Sequence, residues 1–305
     1  MSILEISNLD KKFGKQEVLR SLNMSVPENS IFGFAGPNGS GKTTTMKMVV
    51  GLLKPDGGNI AVCGKKVLYG QNTTNRYIGY LSDVPEFYNY MNAAEYLRLC
   101  GEITGMTRDN TKKRGGELLD LVGLPNNKKK IGGYSRGMKQ RLGIAQALLH
   151  EPKLLLCDEP TSALDPIGRK EILSILLSIK GKTTVVFSTH VLSDVEKICD
   201  QIAVLHKGNI VLNGSIAEIK SHYRHNGYQI TFEEGSDTEK FTSLKGMRQA
   251  GINTETAGNI CTVTISGTDI KGQHIINMLS EAAITPVRFE VIEPSLENLF
   301  VEAVR

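Results

Sequence analysis

Apolar and polar positions along this chain follow two periods that trade places several times. ILEISNL and EVLRSLNMSV, on either side of Gly14, carry apolar residues at a spacing that predicts two short strands joined by a turn. SIFGFAG is an apolar run ending in glycine, which predicts a buried strand; KTTTMKMVVGLL then reads as a helix and IGYLSD as a further strand. From Val84 to His150 the pattern is helical, through NAAEYLRLCGEIT, TKKRGGELLDLVG and RGMKQRLGIAQALLH. Strand-like runs return in KLLLCD, TTVVFS and QIAVLH. Strands alternating with helices predict an α/β fold with a mainly parallel, helix-covered sheet. The block from about 84 to 150 is then a helical insertion.

After Ile219 the pattern changes. GYQITFEE alternates as a half-exposed strand does, and TEKFTSLKGMRQAG is helical. INTETAGNICTVTISG reads as two strands around Ala257–Gly258, DIKGQHIINMLSEA as a helix and PVRFEVIE as a strand. The order βαββαβ is that of a small α+β, ferredoxin-like unit. PSLENLFVEAVR adds a last helix with Ser295 as its N-cap, and Leu296, Leu299, Phe300 and Ala303 recur on one face. The expected linker is SHYRHNG, with His222 and His225 as surface residues. The expected domains are therefore 1–220 and 221–305.

Composition narrows the classes. With 40% hydrophobic and 22% charged residues the chain is of ordinary globular type. A net charge of +4 is too small to argue for a nucleic-acid partner. NNKKK at 126–130 reads as a solvated loop, and no interleaving of aromatic with basic residues marks a single-strand platform. No nucleic acid is expected. The five cysteines are scattered and odd in number, which points to free thiols in a reducing compartment rather than a disulfide framework. The opening segment lacks the apolar core of a signal peptide, and no apolar run approaches the ~20 residues that span a bilayer.

Candidate chemistry lies at the ends of the apolar runs. GPNGSGKTT fits G-x-x-x-x-G-K-S/T, placed after a strand and before a helix. Glycines let backbone N–H groups surround phosphate oxygens, and the helix N-terminus adds partial positive charge. The candidate nucleotide contacts are Gly36, Pro37, Asn38, Gly39, Ser40, Gly41, Lys42, Thr43 and Thr44. Lys42 is placed for the β- and γ-phosphates and Thr43 for Mg²⁺. A glycine-rich turn without ligand is the competing reading. LLLCDEP ends a buried strand in two acids, a costly placement unless they face a charge or a site. Asp158 is the candidate support for Mg²⁺ and Glu159 for polarising an attacking water; a strand end entering solvent is the alternative. STH puts His190 at a strand terminus, as a γ-phosphate contact or as a structural histidine. YSRGMKQR, residues 134–141, has no carboxylate, histidine or cysteine. It is either a polar turn before a helix or a set of donors that completes a site lying elsewhere.

Taken in order, GPNGSGKTT, YSRGM, LLLCDEP, SALD and STH resemble the ATP-binding cassette (ABC) ATPases over about residues 2–220. The resemblance implies a P-loop NTPase cassette with an inserted helical subdomain, using ATP and Mg²⁺. It implies two cassettes set head to tail, in which Ser135 and the N–H of Gly137 cap the γ-phosphate of the other chain's ATP. The usual signature of the family is LSGGQ; here Arg136 replaces a glycine and Met138 the glutamine. Asp165, in SALD, is implied to cross the dimer interface, and Phe13, in KKFG, to stack on adenine. Asp83 stands where the family usually has glutamine and is implied as a metal-site residue. The tail resembles the accessory domain of bacterial exporter-type cassettes, which include drug-, antibiotic- and peptide-resistance systems. A separate multi-span permease is then the partner, docked on the helical block, with the chain cytoplasmic and peripheral on the inner face of the cell membrane. The alternative is a soluble cassette acting on the ribosome, DNA or cluster assembly. The single cassette and the lack of long coiled coils weigh against it, and Glu159 weighs against a binding module without hydrolysis.

Overall fold

The computed structural model describes residues 1–304 except 72, 223–225, 249–251, 266–271 and 293–294. His225 and the middle of the expected linker lie outside the described residues, as does the side chain of His222. The chain forms two compact units, Met1–Ile216 with Phe300–Arg305, and Ala217–Leu299.

In the first unit, β1 (Ser2–Phe13) and β2 (Gln16–Pro27) form an antiparallel hairpin that turns at Gly14, where φ is 58°. Next come β3 (Ile31–Ala35), α1 (Lys42–Val49), β4 (Gly57–Val62), β5 (Lys65–Lys66) and β6 (Ile78–Leu81). The helical block follows with α2 (Ala93–Ile103), α3 (Arg108–Leu121) and α4 (Arg136–Leu148). The chain then runs through β7 (Leu154–Cys157), α5 (Pro166–Ser178), β8 (Thr184–Thr189), α6 (Leu192–Ile198), β9 (Gln201–His206) and β10 (Asn209–Ser215). Helix α7 (Ile216–His222) begins at the division between the units.

The central sheet has six strands in the order β10-β9-β3-β8-β7-β6, parallel except for the β9–β10 pair. Every residue of β3, β7 and β8 is buried, as in parallel strands covered on both faces, and most of them are apolar. Strands β6 and β7 are parallel neighbours although α2, α3 and α4 intervene, so the helical block is an insertion at one end of this sheet. It opens with a capping box in which Asn92 and Glu95 bond each other's backbone N–H. The first strands depart from the expectation of one mainly parallel sheet. They join β4 and β5 in a separate antiparallel sheet of order β2-β1-β4-β5. Leu9, Leu19, Phe32, Phe34, Met46 and Leu154 meet in the common core.

The second unit contains β11 (Asn226–Thr231), α8 (Gly235–Thr242), β12 (Ile252–Ala257), β13 (Ile260–Ile265), α9 (Gly272–Glu281) and β14 (Arg288–Ile292). Helix α10 (Leu296–Ala303) follows, and Ser295 Oγ accepts from Asn298 N at 3.2 Å as its cap. The sheet order β12-β13-β11-β14, antiparallel throughout, is the ferredoxin-like arrangement. Phe232, Phe241, Val263 and Ile275 build its core. The helix expected over TEKFTSLKGMRQAG stops early. Thr242 and Ser243 turn their hydroxyls back onto the carbonyls of Thr238 and Glu239, and a short 3-10 turn at Lys245–Arg248 replaces the continuation. Among the described residues no helix is long and apolar enough to cross a membrane.

Candidate nucleotide site

The loop between β3 and α1 holds its shape through glycines with positive φ: Gly36 at 150°, Gly39 at 78° and Gly41 at 115°. A β-carbon at Gly36 would run into the carbonyl of Leu205, and one at Gly41 would come 2.7 Å from Leu19 Cδ2. Helix α1 starts without a side-chain cap, so its first N–H groups are left for a ligand. The buried hydroxyl of Ser40 has no hydrogen-bond partner. Lys42, buried to 5%, folds back so that Nζ donates to Gly36 O at 2.7 Å and Pro37 O at 3.2 Å.

Across from this loop, β7 ends in Asp158 and Glu159. Asp158 Oδ1 accepts from Thr43 Oγ1 at 3.1 Å and from Ser188 Oγ at 2.7 Å. Ser188 also accepts from the backbone N–H of Glu159 at 2.9 Å. One hydroxyl on β8 therefore positions both acids of β7. Glu159 has φ 46°, a left-handed conformation disfavoured for a side chain of its size. Its carboxylate lies 3.3 Å from Lys42 Nζ and 2.9 Å from His190 Nδ1. With Nδ1 engaged by the glutamate, Nε2 is the ring nitrogen left for a ligand.

A cleft of about 430 Å³ opens here, lined by Asn38, Lys42, Thr43, Asp83, Glu159 and His190, with Val18 and Ser162 at its margin. Burial pushes the Asp83 carboxyl up, and the neighbouring Asp158 charge adds to this against the opposing Arg136. Arg136 Nη2 lies 3.9 Å from Asp83 Oδ1, and Gln140 donates to the Asp83 carbonyl at 2.9 Å. Two of the departures from the usual family pattern, Asp83 and Arg136, thus face each other. Thr43 and Asp83 line the cleft and Asp158, buried, is bonded to Thr43; their hard oxygen donors suit Mg²⁺. Among the described residues no group of three or more His, Cys, Asp or Glu side chains is disposed to hold a metal.

The fold thus gathers the residues of 36–44 with Asp83, Asp158, Glu159 and His190. Ser135, Gly137, Asp165 and Phe13 do not join this group. Ser135 caps α4, accepting from Met138 N at 3.2 Å, with Gly137 in the first turn. Asp165 caps α5, accepting from Gly168 N at 2.8 Å. Phe13 is half-exposed at the end of β1, with Lys11 Nζ 5.2 Å from its ring centroid. Sequence reading missed Ser188. Its signal was a hydroxyl in an apolar strand, two residues before His190 and hence on the same strand face. A larger hollow of about 1070 Å³ lies among Arg76, Ile103, Asn110, Lys113, Glu117 and His150. It contains no phosphate-loop residue and belongs to the helical block and its surroundings.

The ABC transporter family matches residues 19–162, and the C-terminal domain family of DrrA1-3-like ATP-binding proteins matches residues 214–304. The ABC transporter ATP-binding protein YxlF of Bacillus subtilis is 38% identical over 306 residues, spanning 99% of both chains. The bacitracin transport ATP-binding protein BcrA of Bacillus licheniformis is 40% identical over 213 residues, 69% of each chain. Among solved structures, a dimeric post-hydrolysis state of an ATP-binding cassette bound to ADP and Pi is 26% identical. It superposes with a TM-score of 0.62 over 70% of this chain and 98% of that one. A likeness that runs from end to end, on a fold shared with nucleotide-bound cassettes, places this chain in the ATP-binding cassette family, as the ATP-hydrolysing subunit of an ABC transporter.

Proposed function

We propose that this subunit hydrolyses Mg²⁺-ATP between two copies of itself and drives a separate multi-span permease, in the direction of export. One observation carries the reading of the site: the Glu159 carboxylate is held between Lys42 and His190, across the cleft from the phosphate loop. Lys42 and the N–H groups of 39–44 bind the phosphates. Glu159 polarises the attacking water, and His190 contacts the γ-phosphate. Thr43 and Asp158, with Asp83 beside them, hold Mg²⁺, which when bound neutralises phosphate charge. Phe13 stacks on adenine. Ser135 and Gly137 lie off the cleft of their own chain, which supports their acting on the nucleotide of a second copy, where preorganised donors meet the charge that develops. Asp165 crosses the same interface. Export is supported by the DrrA-like tail and the likeness to a bacitracin transport protein. The helical block, with the hollow near Arg76 and Lys113, is the surface proposed for the permease, which would hold the chain at the inner face of the cell membrane.

Mixing tests the two-copy site. Glu159→Gln chains should form ATP-dependent dimers that size-exclusion chromatography resolves. Glu159→Gln/Ser135→Arg chains should bind ATP yet stay monomeric. Dimers as abundant with Ser135→Arg as without it would remove that segment from the shared site.

A further inference from the structure

The ends of β7 and β8 are joined twice. The inner link is Ser188, already described. The outer link lies away from the cleft and runs through Asp194, whose side chain is 0% exposed. Thr161 Oγ1 donates to Asp194 Oδ2 at 3.1 Å, and Arg169 Nε, on α5, approaches the same oxygen at 3.2 Å. Lys197 Nζ lies 3.9 Å from Oδ1. A carboxylate withdrawn wholly from water is costly, and an apolar residue would fill the space more cheaply, so its placement calls for another reason.

Chain position supplies that reason. Thr161 is two residues beyond Glu159, and Asp194 is four beyond His190. The segment between β7 and α5 has two left-handed non-glycine residues, Glu159 at φ 46° and Ala163 at φ 51°. Such backbone persists only where its surroundings over-determine it. Thr161 sits between the two, is buried to 1%, and gives its hydroxyl to Asp194. We propose that Asp194 is a positioning residue: through Thr161 it fixes the strained Glu159 loop against the segment that carries His190. Arg169 sets its positive charge against the buried carboxylate. The inference rests on the role proposed above for Glu159.

The test is steady-state ATPase of the full chain carrying Thr161→Val, which keeps shape and removes the donor. A displacement of Glu159 of a fraction of an ångström should lower kcat by about tenfold or more. The KM for ATP should stay within about twofold, since the phosphate loop is untouched. Thr161→Ser, which restores the hydroxyl, should recover kcat. Thr161→Ala is the second variant and must show the same split, with melting temperatures taken alongside to show that the loss occurs in folded protein. Wild-type kcat in Thr161→Val, or failure of Thr161→Ser to recover it, overturns the inference. Glu159→Gln is measured in parallel. If it is inactive while Thr161→Val is fully active, only the inference falls. If Glu159→Gln turns over normally, the reading of the site falls and takes the inference with it.

Discussion

The cleft of the first unit and the core of the second bury opposite kinds of group. In the cleft and the segments behind it, Ser40, Lys42, Asp158, Glu159, Thr161, Ser188 and Asp194 are all withdrawn from water. Among the described residues of the second unit, the only polar side chain buried to that degree is Thr238; the rest of its interior is Phe232, Phe241, Ile230, Val263 and their neighbours. Buried polar groups cost stability unless they are paired, and even paired they add little that apolar packing would not. Their concentration in one place therefore marks where selection for chemistry has overridden stability. Glu159 and Ala163 add left-handed backbone there, a conformation that non-glycine residues also adopt elsewhere, at Ala283 of the second unit among them. The second unit is held by the packing of its apolar core.

The comparison is broken if damage to the packed unit spreads to the chemistry. Phe232→Ala leaves a void beside Phe241, whose ring centroid is 5.5 Å away. It should cost about 3–5 kcal/mol in that unit. Thermal unfolding should then show an earlier transition, while basal kcat and the KM for ATP stay within twofold. A smaller change in the cleft should act the other way. Ser188→Ala leaves the Glu159 N–H without its acceptor and takes one donor from Asp158. The stability loss should be about 1–3 kcal/mol, yet kcat should fall about tenfold because both acids of β7 lose their common anchor. Calorimetry and steady-state kinetics on the same samples measure both.

Asp83 gives the smallest effect and sharpens the contrast through pH. Burial and the Asp158 charge raise its carboxyl in the folded chain. The folded state therefore holds that proton more tightly than the unfolded state does. The sign follows: ionisation costs stability, and the penalty is absent below the unfolded pKa and complete above the folded one. Asp83→Asn should melt on the order of a degree higher at neutral pH, because the group is half-exposed and Arg136 already offsets part of the cost. The difference should close as pH falls through the acid range. Melts of both proteins across that range measure it.

How much of this was legible in the sequence depends on the range of the interaction. Strands β3 and β7 were readable because a strand buried on both faces is written as an apolar run, and β8 because Val185, Val186 and Phe187 form its centre. The second unit was readable because period-two and helical spacing alternate there without interruption. Strand β4, with the sequence GGNIAV, was not, since its glycines and Asn59 mask the alternation. Helix α5 had its signals in the Asp165 cap and Pro166 in the first turn, but the family resemblance drew Asp165 toward another role. At the site, the phosphate loop was local and hence visible. Ser188 with Asp158 and Thr161 with Asp194 are partners 30 and 33 residues apart, and only the order of strands brings them together. Spacing within one segment cannot report such a pair.

The central claim is that Glu159 polarises the water that attacks ATP, and one substitution isolates it. Glu159→Gln keeps the size of the side chain and removes its capacity to take up a proton. Equilibrium binding of ATP and single-turnover hydrolysis should be measured on the same preparation. The account predicts ATP affinity within a few-fold of the native chain and a hydrolysis rate lower by about 10²–10⁴. Hydrolysis within a few-fold of native by a Glu159→Gln chain that binds ATP normally would contradict it.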